Sequence, residues 1–403
     1  MTLDQEEKVL SWPFPREEDG TTPPVLSALR EAPPCAVLIP AGATAERRAW
    51  LVTRYPDVRQ ALMDVRLSAD ELLPGAPVRI QIPPGQRPSS FLRMDDPEHG
   101  RLRGMIASQF TARRVRDMRS AIEALTERLL DDLAAQPQPA DLHDAFSRKL
   151  PTMVIANLLG VPDKDHAFFV EKTRVTISQG DPERSFAAYL EMSNYLAELA
   201  ERKQADPQDD LMSQLAVERL STGEIDLDQL VGIARLVLVA GHETTTNQIA
   251  LNILTLLADA DLRAEVLADD GKLIPAFIEE SMRYWSISQD AIVRLVTEDL
   301  ELGGRQMQAG DAVVISIPAG NHDPAAFPEP HRIDLRRDSQ RHLQWGVGTH
   351  YCQGAPLARE EMVISIRRLF ERFPNLRLAT TNPNELFRRG TVFHGVESLP
   401  VTW

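Results

Sequence analysis

The segment WGVGTHYCQG, Trp345 to Gly354, carries the residues best suited to chemistry in this chain. It offers a single thiol, Cys352, in a loop with Gly346, Gly348 and Gly354. The run APLAREEMVISIRRLFERF follows, and its apolar spacing predicts a helix. A cysteine at a helix N-terminus meets unpaired backbone N–H groups and the positive end of the helix dipole, both of which favour a charged sulfur. Such a sulfur suits a permanently deprotonated iron ligand, and the glycines let backbone lie close to a flat cofactor. Taken alone, a cysteine beside a Gly-rich turn is more often a buried structural thiol. The choice between the two readings rests on the rest of the sequence.

Three further clusters accompany the loop. Ala240-Gly241-His242-Glu243-Thr244-Thr245 lies in an apolar stretch from about Leu230 to Ala258, which as a helix would run about 42 Å at 1.5 Å per residue. Gly241 inside it costs roughly 1 kcal/mol relative to alanine. Thr244 stands four residues after Ala240, so its hydroxyl can bond the Ala240 carbonyl and open the regular ladder into a groove. Glu280 and Arg283, in IPAFIEESMRYW, share one face of a helix at i and i+3. His99 and Arg103, in DDPEHGRLR, lie one helical turn apart and, with Arg294 and His350, make four basic groups.

The loop Trp-Gly-x-Gly-x-His-x-Cys-x-Gly resembles the haem-binding loop of the cytochrome P-450 family. The other clusters resemble that family's His-x-x-x-Arg, central-helix and Glu-x-x-Arg motifs, in family order. GNHDPAAFPEP (320 to 330) also matches a family segment, and the resemblance spans the chain from about residue 25 to its end. It implies a mainly α, single-domain fold with a minor β region and a long central helix over the haem. Haem b would be held by Cys352 as axial metal ligand, and a thiolate there pushes electron density toward bound dioxygen and favours O–O cleavage. Ferric iron, the porphyrin dianion and the thiolate sum to zero, so the two propionates remain as charge that must be paired. The resemblance gives that task to His99, Arg103, Arg294 and His350, and places Ala240, Trp345 and Gly346 against the cofactor. Thr244 and Glu243 become an acid–alcohol pair relaying protons toward bound oxygen, a kind of catalysis commonly worth about 10²- to 10⁴-fold. Glu280 and Arg283 become part of a buried structural network with a later arginine, for which Arg332 is the candidate.

Substrate contacts are expected from Leu236 and Val239 on the central helix, from Ile287, Asp290 and Ile292 beyond the Glu-x-x-Arg helix, and from Thr391, Val392 and Phe393. Ser68 to Leu92 is expected as a lid and Phe168 to Arg184 as the opposite gate. The sequence departs from the family at Trp345, where Phe is usual and where the indole brings an N–H that could reach the sulfur. It departs also at Gly320, at His322, and at Trp285, which no proline follows.

The implied reaction inserts one oxygen atom from O2 into a C–H or C=C bond of a medium-sized, mostly apolar molecule, as in secondary metabolism and antibiotic biosynthesis. A peroxide-driven peroxygenase and an oxidative coupling enzyme are alternatives on the same fold. A non-catalytic helper is disfavoured because Cys352, Thr244 and Arg283 are all present. Electrons would come from NAD(P)H through a separate reductase and a ferredoxin or flavodoxin, since no flavin or iron–sulfur motif is present. An acidic donor needs a basic patch, with Arg101, Arg113, Arg114 and Arg359 as candidates.

Composition agrees. Four motifs scattered from His99 to Cys352 must converge on one site, so 25–403 reads as one domain despite its length, with the Pro- and Glu-rich residues 1–24 partly disordered. Helical periodicity recurs over 115–135 and 185–203, and short β-like runs occupy 35–39, 49–53 and 312–317. A net charge of −15 argues against nucleic acid as a partner. Cys35 and Cys352 are far apart, so no disulfide is expected and Cys35 reads as a small buried hydrophobe. The acidic MTLDQEEKV is no secretory signal, and no uninterrupted apolar span of about 20 residues exists, which predicts a cytoplasmic monomer.

Overall fold

The computed structural model describes residues 9–40, 45–77, 91–176, 182–290 and 292–403. The helices that position the site are, in chain order, α1 (Glu98–Ile106), α2 (Ala112–Ala134), α3 (Lys149–Leu159), α4 (Pro182–Ala205), α5 (Leu227–Ala258), α6 (Ile274–Trp285) and α7 (Ala355–Arg372). The periodic runs expected to be helical correspond to α2, α4 and α5. The ends of these helices follow from local chemistry. Asp226 caps α5 in a reciprocal box: Gln229 N donates to Asp226 Oδ1 at 2.7 Å, and Asp226 N donates to Gln229 Oε1 at 3.2 Å. α7 begins just after Gly354 with proline in its first turn, where no intrahelical N–H is needed.

α5 has 32 residues, about 48 Å at 1.5 Å per residue. It is apolar nearly all round and packs on α3, α4, α6 and α7, which is how so hydrophobic a helix avoids water. These helices build the large core. Beside it lies a sheet formed by β1 (Leu10–Ser11), β2 (Cys35–Pro40), β3 (Glu46–Val52), β4 (Leu67–Ser68), β5 (Val293–Val296) and β6 (Ala312–Ile315). Its strand order is β1-β2-β3-β6-β5-β4, with β1–β2 and β3–β6 parallel and the other pairs antiparallel. The register places Arg294 opposite Val313.

Residues 9–24 belong to the fold instead of being disordered: β1 pairs with β2, and Trp12 and Phe14 are buried against the sheet. Residues 1–8 lie outside the described residues, as do 41–44, Ala291, 78–90 of the expected lid and 177–181 of the expected gate. No disulfide joins Cys35 and Cys352. Among the described residues, no helix is long and apolar enough to cross a membrane.

Candidate active site

Cys352 sits just before the N-terminus of α7, as its sequence context predicts. Its N–H donates to the Trp345 carbonyl at 2.7 Å, closing the loop, while Gly346 and Gly348 take positive φ of 73° and 76°, a conformation side chains disfavour. Burial pushes the Cys352 thiol up; the amides of Gly354 and Ala355, together with Arg103 and Arg359, pull it down, and burial prevails. The sulfur thus lies in a setting where a cation is needed to hold it as thiolate.

The expected basic groups converge beside it. His99, on α1, is 2% exposed, and its ring lies 4.2 Å from that of His350. His99 Nε2 has no hydrogen-bond partner, and Nδ1 lies 3.4 Å from Asp96. Burial lowers both histidines, His350 to about 4, helped there by the positive charge of Arg294. Arg103 Nη2 donates to the Tyr351 carbonyl at 2.6 Å. Burial brings Arg294 down to about 10, and among the described residues its guanidinium donates only to the neighbouring Val293 carbonyl. Arg93, which the sequence reading missed, adds its charge to Arg294 and is itself lowered by burial. The available signal was its place just upstream of DDPEHGRLR. So many mutually repelling, desolvated cations with an orphaned ring nitrogen fit a dianionic group between them.

The central helix carries the next group of expected residues. Most of the middle of α5 is buried, yet Leu236, Val239 and Thr244 are only partly so and Ala240 is exposed. Their helical spacing puts them on one strip facing open space. Thr244 Oγ1 donates to the Ala240 carbonyl at 2.7 Å, as expected. The expected opening of the helix is not seen, because α5 runs unbroken through this turn. Gly241 has a different reason from the one inferred: a Cβ there would stand 2.6 Å from Ile155 of α3, so the glycine permits close helix packing.

Glu243 points elsewhere. Its carboxylate is buried, accepts from Arg388 Nη1 at 2.9 Å and from Asn247 Nδ2 at 3.0 Å, and so forms an ion pair that the sequence reading did not foresee.

Several other expectations change. The third member of the Glu280–Arg283 network is Arg337, whose Nε donates to Glu280 Oε1 at 3.0 Å. Arg332 is largely exposed; only its carbonyl joins, accepting from Arg283 at 3.0 Å, while its guanidinium faces Glu329. Glu280 also accepts from the Asp334 amide and Ser339 Oγ. Burial opposes its ionisation, but Arg283 holds its carboxyl below the usual range.

The Trp345 indole donates to Glu279 Oε2 at 3.3 Å, not to the sulfur. Glu279 also binds His342 and, through both oxygens, Arg359, whose guanidinium lies 4.7 Å from the Trp345 ring. Burial works against Glu279, yet these partners bring it down to about 2. Arg359 is therefore committed to a carboxylate, as are Arg101 with Glu98 and Arg114 with Asp209. Of the suggested basic patch, Arg113 is exposed and has no carboxylate partner among the described residues.

Asp290 accepts from the Trp12 indole and is buried, so it anchors the N-terminal segment. Ile287 is 2% exposed in the main core, Ile292 is half-buried under the sheet, and Val392 is exposed. Ser288 bridges Phe393, which brings these two segments side by side, and Thr391 Oγ1 donates to the Phe393 carbonyl at 2.7 Å. At the departures, Trp285 donates to Thr255 at 2.9 Å, and Ser286 takes the left-handed turn (φ 43°) that ends α6. His322 is buried against the Pro318 carbonyl.

The family model of cytochrome P450 matches residues 47–394. Cytochrome P450-SU2 of Streptomyces griseolus is 42% identical over 360 residues, covering 88% of this chain and 87% of that one. Cytochrome P450 GfsF of Streptomyces halstedii is 40% identical over 99% of this chain and 98% of its own, and its crystal structure superposes with a TM-score of 0.92 over 98% of this chain and 100% of that one. The mycinamicin VIII C21 methyl hydroxylase MycCI of Micromonospora griseorubida, solved bound to mycinamicin VIII, is 36% identical with a TM-score of 0.89, over 98% and 100% of the two chains.

Proposed function

The chain belongs to the cytochrome P450 family and is a haem-thiolate monooxygenase; from that premise we propose that it oxidises a medium-sized, mostly apolar natural product by hydroxylation or epoxidation. The observation that carries the site assignment is the cluster of buried, under-compensated cations around His99 Nε2, directly beside the lone thiol at the head of α7. When bound, the haem supplies the iron that activates dioxygen. Cys352 would hold its iron, and His99, Arg103, Arg294, His350 and Arg93 would neutralise its propionates. Gly346 and Trp345 shape the ligand loop, with Trp345 fixed from behind by Glu279.

On the opposite side, Leu236, Val239 and Ala240 present apolar surface to the substrate and exclude water. Thr244 presents a hydroxyl whose proton is held on the Ala240 carbonyl and which can accept one in exchange. Glu243 stands one residue away, its carboxylate held by Arg388 and Asn247. For it to serve the relay, its carboxylate must exchange Arg388 for water or for Thr244, so Arg388 is a positioning residue for proton delivery. MycCI, a mycinamicin VIII C21 methyl hydroxylase solved with mycinamicin VIII bound, supports a natural-product substrate. A ferredoxin or flavodoxin with its NAD(P)H reductase fits as electron source, with exposed Arg113 the candidate of the expected patch that no carboxylate holds among the described residues.

Thr244→Ala tests the reading. With NAD(P)H, reductase and ferredoxin, the variant is expected to consume oxygen while diverting most electrons to hydrogen peroxide. Product per NAD(P)H should fall by about 10²-fold, the low end of what general acid–base groups contribute. Unchanged coupling would remove Thr244 from the relay, and wild-type turnover with peroxide alone would favour a peroxygenase.

A further inference from the structure

One buried cation in the central helix remains without a counter-charge. Arg235 is 8% exposed, and its guanidinium lies 4.3 Å from the ring of Tyr189 on α4. Nη1 donates to Ser193 Oγ at 2.9 Å, and that hydroxyl already donates to the Tyr189 carbonyl. Among the described residues, its other N–H groups have no acceptor and no carboxylate pairs with it.

Outside the cluster beside Cys352, most interior cations have a carboxylate or more acceptors, although Arg30, equally buried, also has only one carbonyl and one hydroxyl. Lys203 has Asp210, Arg283 and Arg337 share Glu280, and Arg388 has Glu243. Arg16, which lacks a carboxylate, is met by three backbone carbonyls and Gln289. Arg235 has one hydroxyl and one aromatic face. A guanidinium so little satisfied, whose unpaired N–H groups are not fully enclosed by protein, is poised for an anion with planar, two-pronged acceptors.

Its position supplies the second argument. Arg235 precedes Leu236 by one residue and Val239 by four, so it lies one turn along α5 from the partly exposed strip that ends at Thr244. The Tyr189 ring stacks on Phe186 (centroids 6.0 Å apart, planes at 12°), making an aromatic wall on α4 beside the guanidinium. The strip is apolar apart from Thr244, so an acidic group at Arg235 would leave the rest of a ligand along Leu236, Val239 and Ala240.

We propose that Arg235 is a specificity residue that binds the carboxylate of the substrate, so that this enzyme oxidises an apolar carboxylic acid at a carbon held toward Thr244. This rests on the monooxygenase reading and on the strip of α5 as the substrate wall. The test titrates the haem-loaded protein with dodecanoic acid and with methyl dodecanoate, following displacement of the haem-bound water in the Soret band. Wild type should bind the acid about 10- to 100-fold more tightly than the ester, the range expected for a hydrogen bond to a charged group. Arg235→Met should abolish that preference by weakening the acid and leaving the ester unchanged. Arg235→Lys, which keeps the charge without the planar fork, should fall between them, and a reduced carbon monoxide spectrum of thiolate type verifies that each variant is folded.

An acid that binds wild type no better than its ester, or fails to bind while imidazole still shifts the Soret band, overturns the proposal and leaves the haem reading standing. Loss of the thiolate spectrum in wild type would instead overturn the premise. Persistence of the acid preference in Arg235→Met would assign recognition to another group.

Discussion

Replacing Arg337 and Arg332 separately distinguishes the network seen here from the one expected on sequence grounds. Arg337 is 8% exposed and donates to a Glu280 carboxylate that is itself 0% exposed, next to the equally buried Arg283. Glu280 keeps Arg283, Ser339 and the Asp334 amide when Arg337 is removed, but one of its two buried cations is lost and several backbone carbonyls lose a donor. Removing one partner from a buried ionic network costs about 3–5 kcal/mol. Arg332→Ala removes only a guanidinium 72% exposed and paired with an exposed Glu329, and its carbonyl contribution to Arg283 survives because alanine keeps the backbone. That change should stay within about 0.5 kcal/mol. For a chain of 403 residues, an unfolding entropy of about 2.1 cal/mol/K per residue gives roughly 0.85 kcal/mol/K. Arg337→Ala is therefore expected to lower the melting temperature by about 4–6 °C, and Arg332→Ala by less than about 1 °C. Far-UV circular dichroism of the haem-loaded proteins at one scan rate measures both, with urea midpoints as an independent check. Equal shifts, or a larger shift for Arg332→Ala, would refute the assignment.

Trp345→Phe removes a hydrogen bond to Glu279 and replaces the indole face under Arg359 with a smaller phenyl face, while the sulfur loses no donor. Redox titration should therefore show a reduction potential close to that of wild type, and stability about 1–2 kcal/mol lower; a large negative shift in potential, as expected when a thiolate loses a hydrogen-bond donor, would mean that the indole reaches Cys352 after all. Burial, first, and the charges of Arg148 and Arg388 hold His143 and His242 neutral down to about pH 3 in the folded protein. Their folded pKa lies below the unfolded value of about 6.5, so their contribution to stability is fully present above pH 6.5 and is lost progressively as pH falls toward 3. Each histidine should contribute up to about 1.4 kcal/mol per pH unit in that window. His143 has no hydrogen-bond partner on either ring nitrogen among the described residues, so His143→Leu should flatten the pH dependence of the urea midpoint between pH 7 and 5. An unchanged slope would show that His143 does not titrate there.

Much of the site was legible because its residues are bound to local patterns. Cys352 at the head of a helix, Thr244 four residues after Ala240, and His99 one turn from Arg103 depend on spacings that helices and Gly-rich turns impose by themselves. The long apolar run of α5 announced a helix that other helices must cover. What escaped the sequence was pairing over long separations. Arg337 in place of Arg332 at Glu280, Arg388 at Glu243, Glu279 at Trp345 and Trp12 at Asp290 each join residues brought together only by packing.

Gly241 shows the same division. Its presence marked the helix as unusual, but that it accommodates Ile155 and not a groove was decided by how α3 crosses α5. Local hydrogen bonding and periodicity act over a few residues and so can be read along the chain. Whether a charge finds a carboxylate, as Arg388 does, or only a hydroxyl and an aromatic face, as Arg235 does, depends on which surfaces the core brings into contact, and this follows only from the tertiary structure.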